Sequence, residues 1–484
     1  MTVMNQQLTL IMPLLILSIT VVIMMLSISL KRNHHLCASI AFFGFSLAFL
    51  SLYFVAQAGS GEVTPLLRVD RYSIFYTSLV ILSSLSACIF SYPWIRGYPK
   101  NREEFYLLII LSTLGGVVLV SANHFSSLFI GIELLSLPLV GLVGYGVNIG
   151  YSLEATLKYA ILSIASSAFL LLGIALVYAH TGSLGFDGLI YSKSNSLSSE
   201  ALIIAGFSLM IVSFGFKLSL VPFHLWTPDV YQGAPSSVGT FLASTSKIAV
   251  FSVLMRLFIY TSIKNFECIY FILTILAVAS ILFGNLMALR QKNIKRILGY
   301  SSIAHFGYLL ITLIAIRYSE LSLEASAVYL VSYLFSTLGA FGVVSLLLDA
   351  KNDFSESLSS CRGLFWRNPI LAIALTVTMF SLAGIPITFG FIGKFYLISL
   401  GVYAHLWAVT IAMVFGSAIG LYYYLRIIIS LYLEPNESVK YLSPQQHHSV
   451  LQVGDMMVVL FALLSIIFGI YPQPIIELAQ LIRL

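Results

Sequence analysis

Apolar runs long enough to cross a hydrocarbon layer of about 30 Å recur from one end of this sequence to the other. A lipid environment leaves no water to satisfy the backbone, so a chain built of such runs folds as transmembrane helices or not at all. Of the 484 residues, 59% are hydrophobic and 9% charged, with a mean hydropathy of +0.97. An ordinary soluble domain carries about 25% charged residues, so soluble classes are excluded. Runs separated by polar or Pro/Gly punctuation predict spans over 8–30, 36–58, 72–92, 105–122, 125–147, 156–180 and 201–224. Beyond Pro235 they continue over 236–258, 267–289, 297–316, 322–348, 369–400, 402–432 and 452–475. The expected fold is an all-α polytopic membrane protein of about fourteen transmembrane helices. Met1–Gln7 carries no positive charge and no A-x-A-like site follows the first run, so that run reads as a retained span.

Two of these runs contain helix breakers. Lys217–Pro235 holds Pro222, Pro228 and Pro235, and Ser381–Gly393 holds Gly384, Pro386, Gly390 and Gly393. Interrupted helices in two halves of a chain point to an inverted-repeat transporter whose ion path runs where the breaks lie. The breaks fall in the seventh and twelfth spans, which divides one membrane domain, 1–484, into four parts. These are three N-terminal helices (1–104), a first five-helix repeat (105–258), a second, inverted one (267–432) and a C-terminal helix (452–475). With the N-terminus outside, fourteen Lys/Arg from Lys31 to Lys440 fall on cytoplasmic loops and flanks, against seven from Arg68 to Arg483 on the other side. The bias predicts periplasmic termini in an inner membrane, and it accounts for the +6 net charge without a nucleic-acid partner.

Charges inside spans cost about 3 kcal/mol or more, so they mark pathways unless paired. Glu133 interrupts an otherwise uncharged apolar helix; the structural alternative is a fixed ion pair or a protonated helix–helix bond. Lys217 precedes the first break, where a carboxylate partner would tune it and snorkelling is the alternative. Lys247 lies too near the middle of its span to snorkel. Lys394 follows Gly390-Phe391-Ile392-Gly393, and His305 lies in the span between those of Lys247 and Lys394, where it is a relay candidate or a satisfied core histidine. Glu154 and Lys158, spaced i, i+4, share a helix face at the cytoplasmic start of the sixth span, as a surface pair or a coupling group. His224 and Asp229 suit helix caps or proton handling. Arg256, Arg426, Tyr422–Tyr424, Trp226, Trp366 and Trp407 read as interfacial anchors.

Four scattered cysteines, Cys37, Cys88, Cys268 and Cys361, lack metal-site spacing, and no phosphate loop, dinucleotide fingerprint or H-E-x-x-H is present. The expectation is no cofactor and no metal in this chain.

Val221-Pro222-Phe223-His224-Leu225-Trp226-Thr227-Pro228-Asp229 with Ala234-Pro235, and Asn293-Ile294-Lys295-Arg296-Ile297-Leu298-Gly299-Tyr300-Ser301-Ser302-Ile303, resemble the two signatures of the antiporter-like subunits. That family is shared by respiratory complex I, Mrp-type sodium/proton antiporters and membrane-bound hydrogenases. The resemblance covers nearly the whole chain. It implies two inverted five-helix repeats, no redox group in the subunit, and proton translocation driven by NADH-to-quinone electron transfer elsewhere in the complex. Its partners would be other membrane-arm subunits and the NADH- and quinone-reactive subunits. An Mrp-type sodium/proton antiporter subunit is the alternative. The family's roles fall on Glu133 as the fifth-span acid and Lys217 as the seventh-span pump lysine. They fall further on Lys247 as the central lysine, Lys394 as the exit base, His305 as a relay and Lys158 as a cytoplasmic-side lysine.

Overall fold

The computed structural model describes residues 2–98, 101–146, 150–189, 197–260, 267–347, 357–434 and 453–482. Lys100, Lys193, Lys264, Lys351, Lys440 and Arg483, all counted in the loop bias, lie outside the described residues. Among the described residues thirteen helices are long and apolar enough to cross a membrane. Two shorter ones, Pro369–Ala383 and Phe389–Tyr403, together make one further, discontinuous span, so thirteen plus one gives fourteen.

The first six spans are Met12–Leu30, His34–Ala58, Arg71–Gly97, Glu103–Val120, Phe125–Val143 and Ser152–Thr181. The seventh is discontinuous: Leu197–Leu218, then Trp226–Gly233. The eighth comprises Ser236–Phe241, a π turn at Leu242–Ser246, and Lys247–Tyr260. Then follow Glu267–Arg290, Ile294–Ala315, Leu321–Leu347, the broken twelfth, Trp407–Tyr432 and Val453–Ile470. Polar caps set several starts. Asp70 and Ser73 form a capping box at the third span, and the Asn293 side chain accepts from the backbone N–H groups of Lys295 and Arg296 at the tenth.

One departure from an all-α fold is an antiparallel hairpin, Gly61–Thr64 with Leu67–Val69, between the second and third spans. Its register Gly61↔Val69 lies outside any long apolar run, which is why hydropathy does not reveal it. A short amphipathic helix, Gln473–Gln480, follows the last span.

Loops expected on one side of the membrane do meet. At one end Arg32 pairs with Glu104 at 2.8 Å, and the Leu358 N–H donates to the Lys292 carbonyl at 2.8 Å. At the other, Leu67 bridges Ala122 and His124 bridges Gly185. The fourth and fifth spans pack as a hairpin, as do the ninth and tenth. The sixth lies along both segments of the seventh, and the eleventh along both segments of the twelfth. The broken spans are the seventh and the twelfth, an offset of five, and an odd offset reverses direction across the membrane.

The eighth, tenth and eleventh spans form the centre: the apolar window of the tenth is 100% buried and that of the eighth 94%, against 28% for the first and fourteenth. Ionisable groups near the middle of these central spans, such as Lys247 and His305, therefore cannot reach headgroups by extending their side chains.

Candidate functional site

Both breaks end a helix immediately beside a lysine. Lys217 is the penultimate residue of Leu197–Leu218, where Ser219 takes a positive φ of 63°. The indole of Trp226 donates to the freed Phe216 carbonyl at 3.0 Å, and the Val221 N–H donates to Ser280 Oγ at 2.9 Å. The break is thus satisfied by side chains, as buried backbone requires. At the second break Gly384, with φ 80°, ends Pro369–Ala383, and the N–H groups of Gly384 and Ile385 both return to the Phe380 carbonyl at 3.0 Å. Lys394, in the second segment, donates to the Ala383 carbonyl at 2.8 Å. A Cβ at Gly384 would stand 2.7 Å from Lys394 Cδ, so the turn and the lysine's path both need glycine there. Lys217 lies in the last turn of its own half-helix, and the Lys394 ammonium reaches the C-terminal end of the preceding one, where unpaired carbonyls favour a cation.

Around Lys217 the polar groups are hydroxyls. The residue is 4% exposed, and its ammonium donates to Ser136 Oγ at 2.7 Å and Ser163 Oγ at 2.8 Å. Glu133, half-buried and one turn before Ser136, accepts from Ser167, one turn beyond Ser163. Glu133 and Lys217 are therefore neighbours through serines of the fifth and sixth spans, and they form no direct ion pair.

Lys247, completely buried, donates to Ser302 Oγ at 2.7 Å and lies 5.0 Å from the centre of the Phe306 ring. His305, also buried, bridges two phenols: its Nδ1 is 2.6 Å from Tyr329 Oη and its Nε2 is 3.1 Å from Tyr424 Oη. Tyr424 in turn bonds Ser301. The Tyr423 hydroxyl donates to Asn285 Oδ1 at 3.1 Å, and Asn285 Nδ2 donates to Tyr308 Oη at 2.9 Å. Lys394 lies 5.6 Å from the centre of the Tyr308 ring. The His305 ring lies 5.3 Å from that of Tyr333 and 5.6 Å from that of Tyr308, which brings the hydrogen-bonded groups around Lys247, His305 and Lys394 together as one cluster. Among the described residues no hydrogen bond joins it to the serine cluster of Lys217.

Lys158 is placed apart from both. Its ammonium meets Glu154 and Asp229 at 2.6 Å each, and Asp229 also accepts from Arg296 at 2.8 Å. The i, i+4 pair is therefore part of a network tying the sixth, seventh and tenth spans at one end of the bundle. Asp229 belongs to it rather than capping a helix, and His224 is buried edge-on against Phe283, with ring centres 4.9 Å apart.

Several supposed interfacial anchors are core residues. Arg256 is fully buried, donating to Asp70 Oδ1 at 2.8 Å with its guanidinium 5.0 Å from the Tyr72 ring centre. Trp226, Tyr423 and Tyr424 are buried, while Tyr422, Trp366 and Trp407 are exposed as expected. Arg426 is part-buried and donates to the Leu289 and Gln291 carbonyls. Apart from Tyr423 and Tyr424, the serines and tyrosines around the lysines were not singled out from sequence. A signal existed: Ser163/Ser167, Tyr329/Tyr333 and Ser301/His305 repeat at i, i+4 within apolar spans.

Two clusters of hydroxyls, holding one imidazole and three buried amines between them, offer donors and acceptors of the kind that suit the movement of protons. The chain belongs to the NADH:quinone oxidoreductase/Mrp antiporter transmembrane family, whose model matches residues 122–420. It is a multi-pass membrane protein. It is similar to a chain of respiratory complex I from Thermus thermophilus, solved with bound aureothin. The two share 32% identity over 96% of this chain and 98% of that one, with a TM-score of 0.81. The same fold is found at 20% identity in an archaeal membrane-bound sulfane sulfur reductase, over 98% of this chain and 96% of that one. It recurs at 17% in the Mrp complex of Dietzia sp., over 99% and 96%; both have TM-scores of 0.81.

Proposed function

We propose that this chain is subunit N of a bacterial proton-pumping NADH:quinone oxidoreductase, translocating protons across the inner membrane without a redox group or metal of its own. The observation that carries this reading is the pair of lysine-bearing helix breaks flanking the buried Lys247–His305 cluster. The 32% likeness to a complex I chain over nearly the full length supports the same choice. Within the family, Val230-Tyr231-Gln232-Gly233 after Asp229, where sister subunits usually carry an Ala-His pair, and a lysine at 394, where one sister carries glutamate, favour subunit N.

In the mechanism, Glu133 and Lys217 act as a switchable pair through Ser136, Ser163 and Ser167. Lys247 then passes its proton through water and the Tyr424–His305–Tyr329 chain toward Lys394. The imidazole suits this step, since it accepts at one ring nitrogen while donating at the other. Lys158 couples charge at the cytoplasmic end, both termini face the periplasm, and residues 105–258 and 267–432 are the two inverted repeats. Membrane-arm, NADH-reactive and quinone-reactive subunits are the partners.

Copurification tests the assignment. A tagged chain in gentle detergent should bring down flavin- and iron–sulfur-containing subunits with NADH:quinone activity. Isolation with sodium/proton exchange and no flavin would instead make it an Mrp-type antiporter subunit.

A further inference from the structure

The eighth span carries a π turn, Leu242–Ser246, directly before Lys247. Such turns widen a helix and release a carbonyl from the regular ladder, and they occur often at functional sites. Here the Ala243 carbonyl lies 3.1 Å from Tyr333 Oη, on the eleventh span. The same phenol is 3.0 Å from Ser302 Oγ, the atom that accepts from Lys247. A phenol has one proton to donate, so Ala243 and Ser302 compete for it.

We propose that Tyr333 is a positioning residue that couples the proton on Lys247 to the π turn of its own span. The inference rests on the reading of Lys247 as a proton carrier. With Lys247 charged, its ammonium N–H donates to Ser302 Oγ and leaves that oxygen the poorer acceptor, so the Tyr333 proton goes to the Ala243 carbonyl, holding the turn open. When Lys247 gives up its proton, its amine becomes an acceptor. The Ser302 hydroxyl turns to donate to that nitrogen, and the bared Ser302 oxygen takes the Tyr333 proton. The Ala243 carbonyl then loses its donor, and in a fully buried helix it regains one by returning to the regular ladder. The single proton of Tyr333 thus reports the charge of Lys247 to the backbone that positions Lys247.

The elements packed on this span bring Tyr72, Tyr76 and Cys88 from the third, Tyr106 from the fourth, Lys217 from the seventh, and Tyr329 and Tyr333 from the eleventh. Asp187 and the Asp70–Arg256 pair lie toward its far end. Tyr231 and His305 stand near Tyr333 and Lys247, with Lys394 beyond His305. Unperturbed phenols and thiols stay neutral below about pH 8. Charge changes near the turn therefore belong to Lys217, Lys247, Lys394 and His305.

The test uses the intact complex carrying Tyr333→Phe, reconstituted in proteoliposomes, with the proton-to-electron ratio followed against pH and the turn imaged by cryo-electron microscopy at neutral and alkaline pH. The wild type is expected to lose the Tyr333–Ala243 contact at alkaline pH. Tyr333→Phe is expected to keep one turn geometry throughout and to move the alkaline limb of pumping by about one pH unit. If Tyr333→Phe does not assemble, Ser302→Ala carries the same readout, with Tyr333 held on Ala243 at both pH values. A wild-type turn indifferent to pH, or a variant with the wild-type profile, would overturn the coupling. Lys247→Ala separates the two layers. Normal pumping by that variant removes the proton-carrier reading itself, whereas lost pumping beside an unaltered Tyr333→Phe profile removes only the coupling.

Discussion

Arg256 and Lys247 are both buried cations on the eighth span, nine residues apart, and they are housed in opposite ways. Arg256 has a carboxylate, Asp70, at 2.8 Å, with Arg68 a further 3.8 Å from the other Asp70 oxygen. Lys247 has a serine hydroxyl and an aromatic face. A guanidinium does not lose its proton in proteins, so burying it demands a permanent counter-charge. An amine can become neutral, and neutral polar partners leave it free to do so. The pair reads as structure and the lone lysine as function, and Lys217 and Lys394 follow Lys247, since among the described residues neither has a carboxylate in ion-pair contact.

Breaking the fixed pair is expected to have the largest effect. Asp70→Asn leaves the Arg256 charge buried without compensation, at a cost of about 3–5 kcal/mol. Loss of assembled complex on native gels or a lowered unfolding temperature would register it, and wild-type stability would erase the contrast between the two cations. Lys247→Arg should assemble normally yet lose pumping by roughly 100-fold, the scale of a removed acid–base group, because its charge no longer comes off. Proton uptake by vesicles during NADH oxidation checks this, and retained pumping would make Lys247 another structural cation.

Glu133→Gln should lower pumping less than Lys247→Arg. It removes the charge that tunes Lys217 while leaving the Ser136 and Ser163 bonds in place, so the loss should show in the initial rate of vesicle acidification. Smallest of all, Ser163→Ala deletes one of two hydrogen bonds to Lys217, worth about 1.5–3 kcal/mol for a charged donor if left unreplaced. Because Ser136 remains, a reduced pumping rate in an intact complex is expected rather than its loss. Wild-type rates in both variants would show that the serine cluster only packs the helices.

The fourteen spans and both breaks were legible in the sequence because lipid imposes long apolar runs, and proline and glycine interrupt them visibly. Radial position was not legible. Distance from a span end placed Arg256, Trp226 and Tyr424 at the interface, yet all three face the core, where partners lie far off in the chain. Asp70 is 186 residues from Arg256, and Ser301 is 123 from Tyr424. Lys158 was paired correctly with Glu154, but its second partner, Asp229, is 71 residues away. The hairpin at Gly61–Val69 escaped because a two-stranded ribbon of that length leaves no hydropathy pattern. Local spacing reaches one helix face; the pairing of faces belongs to the fold.

The central claim is that protons cross through Lys247 and Lys394. The direct measurement is the proton-to-electron ratio of fully assembled complexes carrying Lys247→Ala or Lys394→Ala, with Lys292→Ala, at the exposed end of the ninth span, as the control. The account predicts a lower ratio, or a pumping and oxidation rate that fall together, in the first two and no change in the control. A normal ratio with normal NADH oxidation in both Lys247→Ala and Lys394→Ala would contradict it.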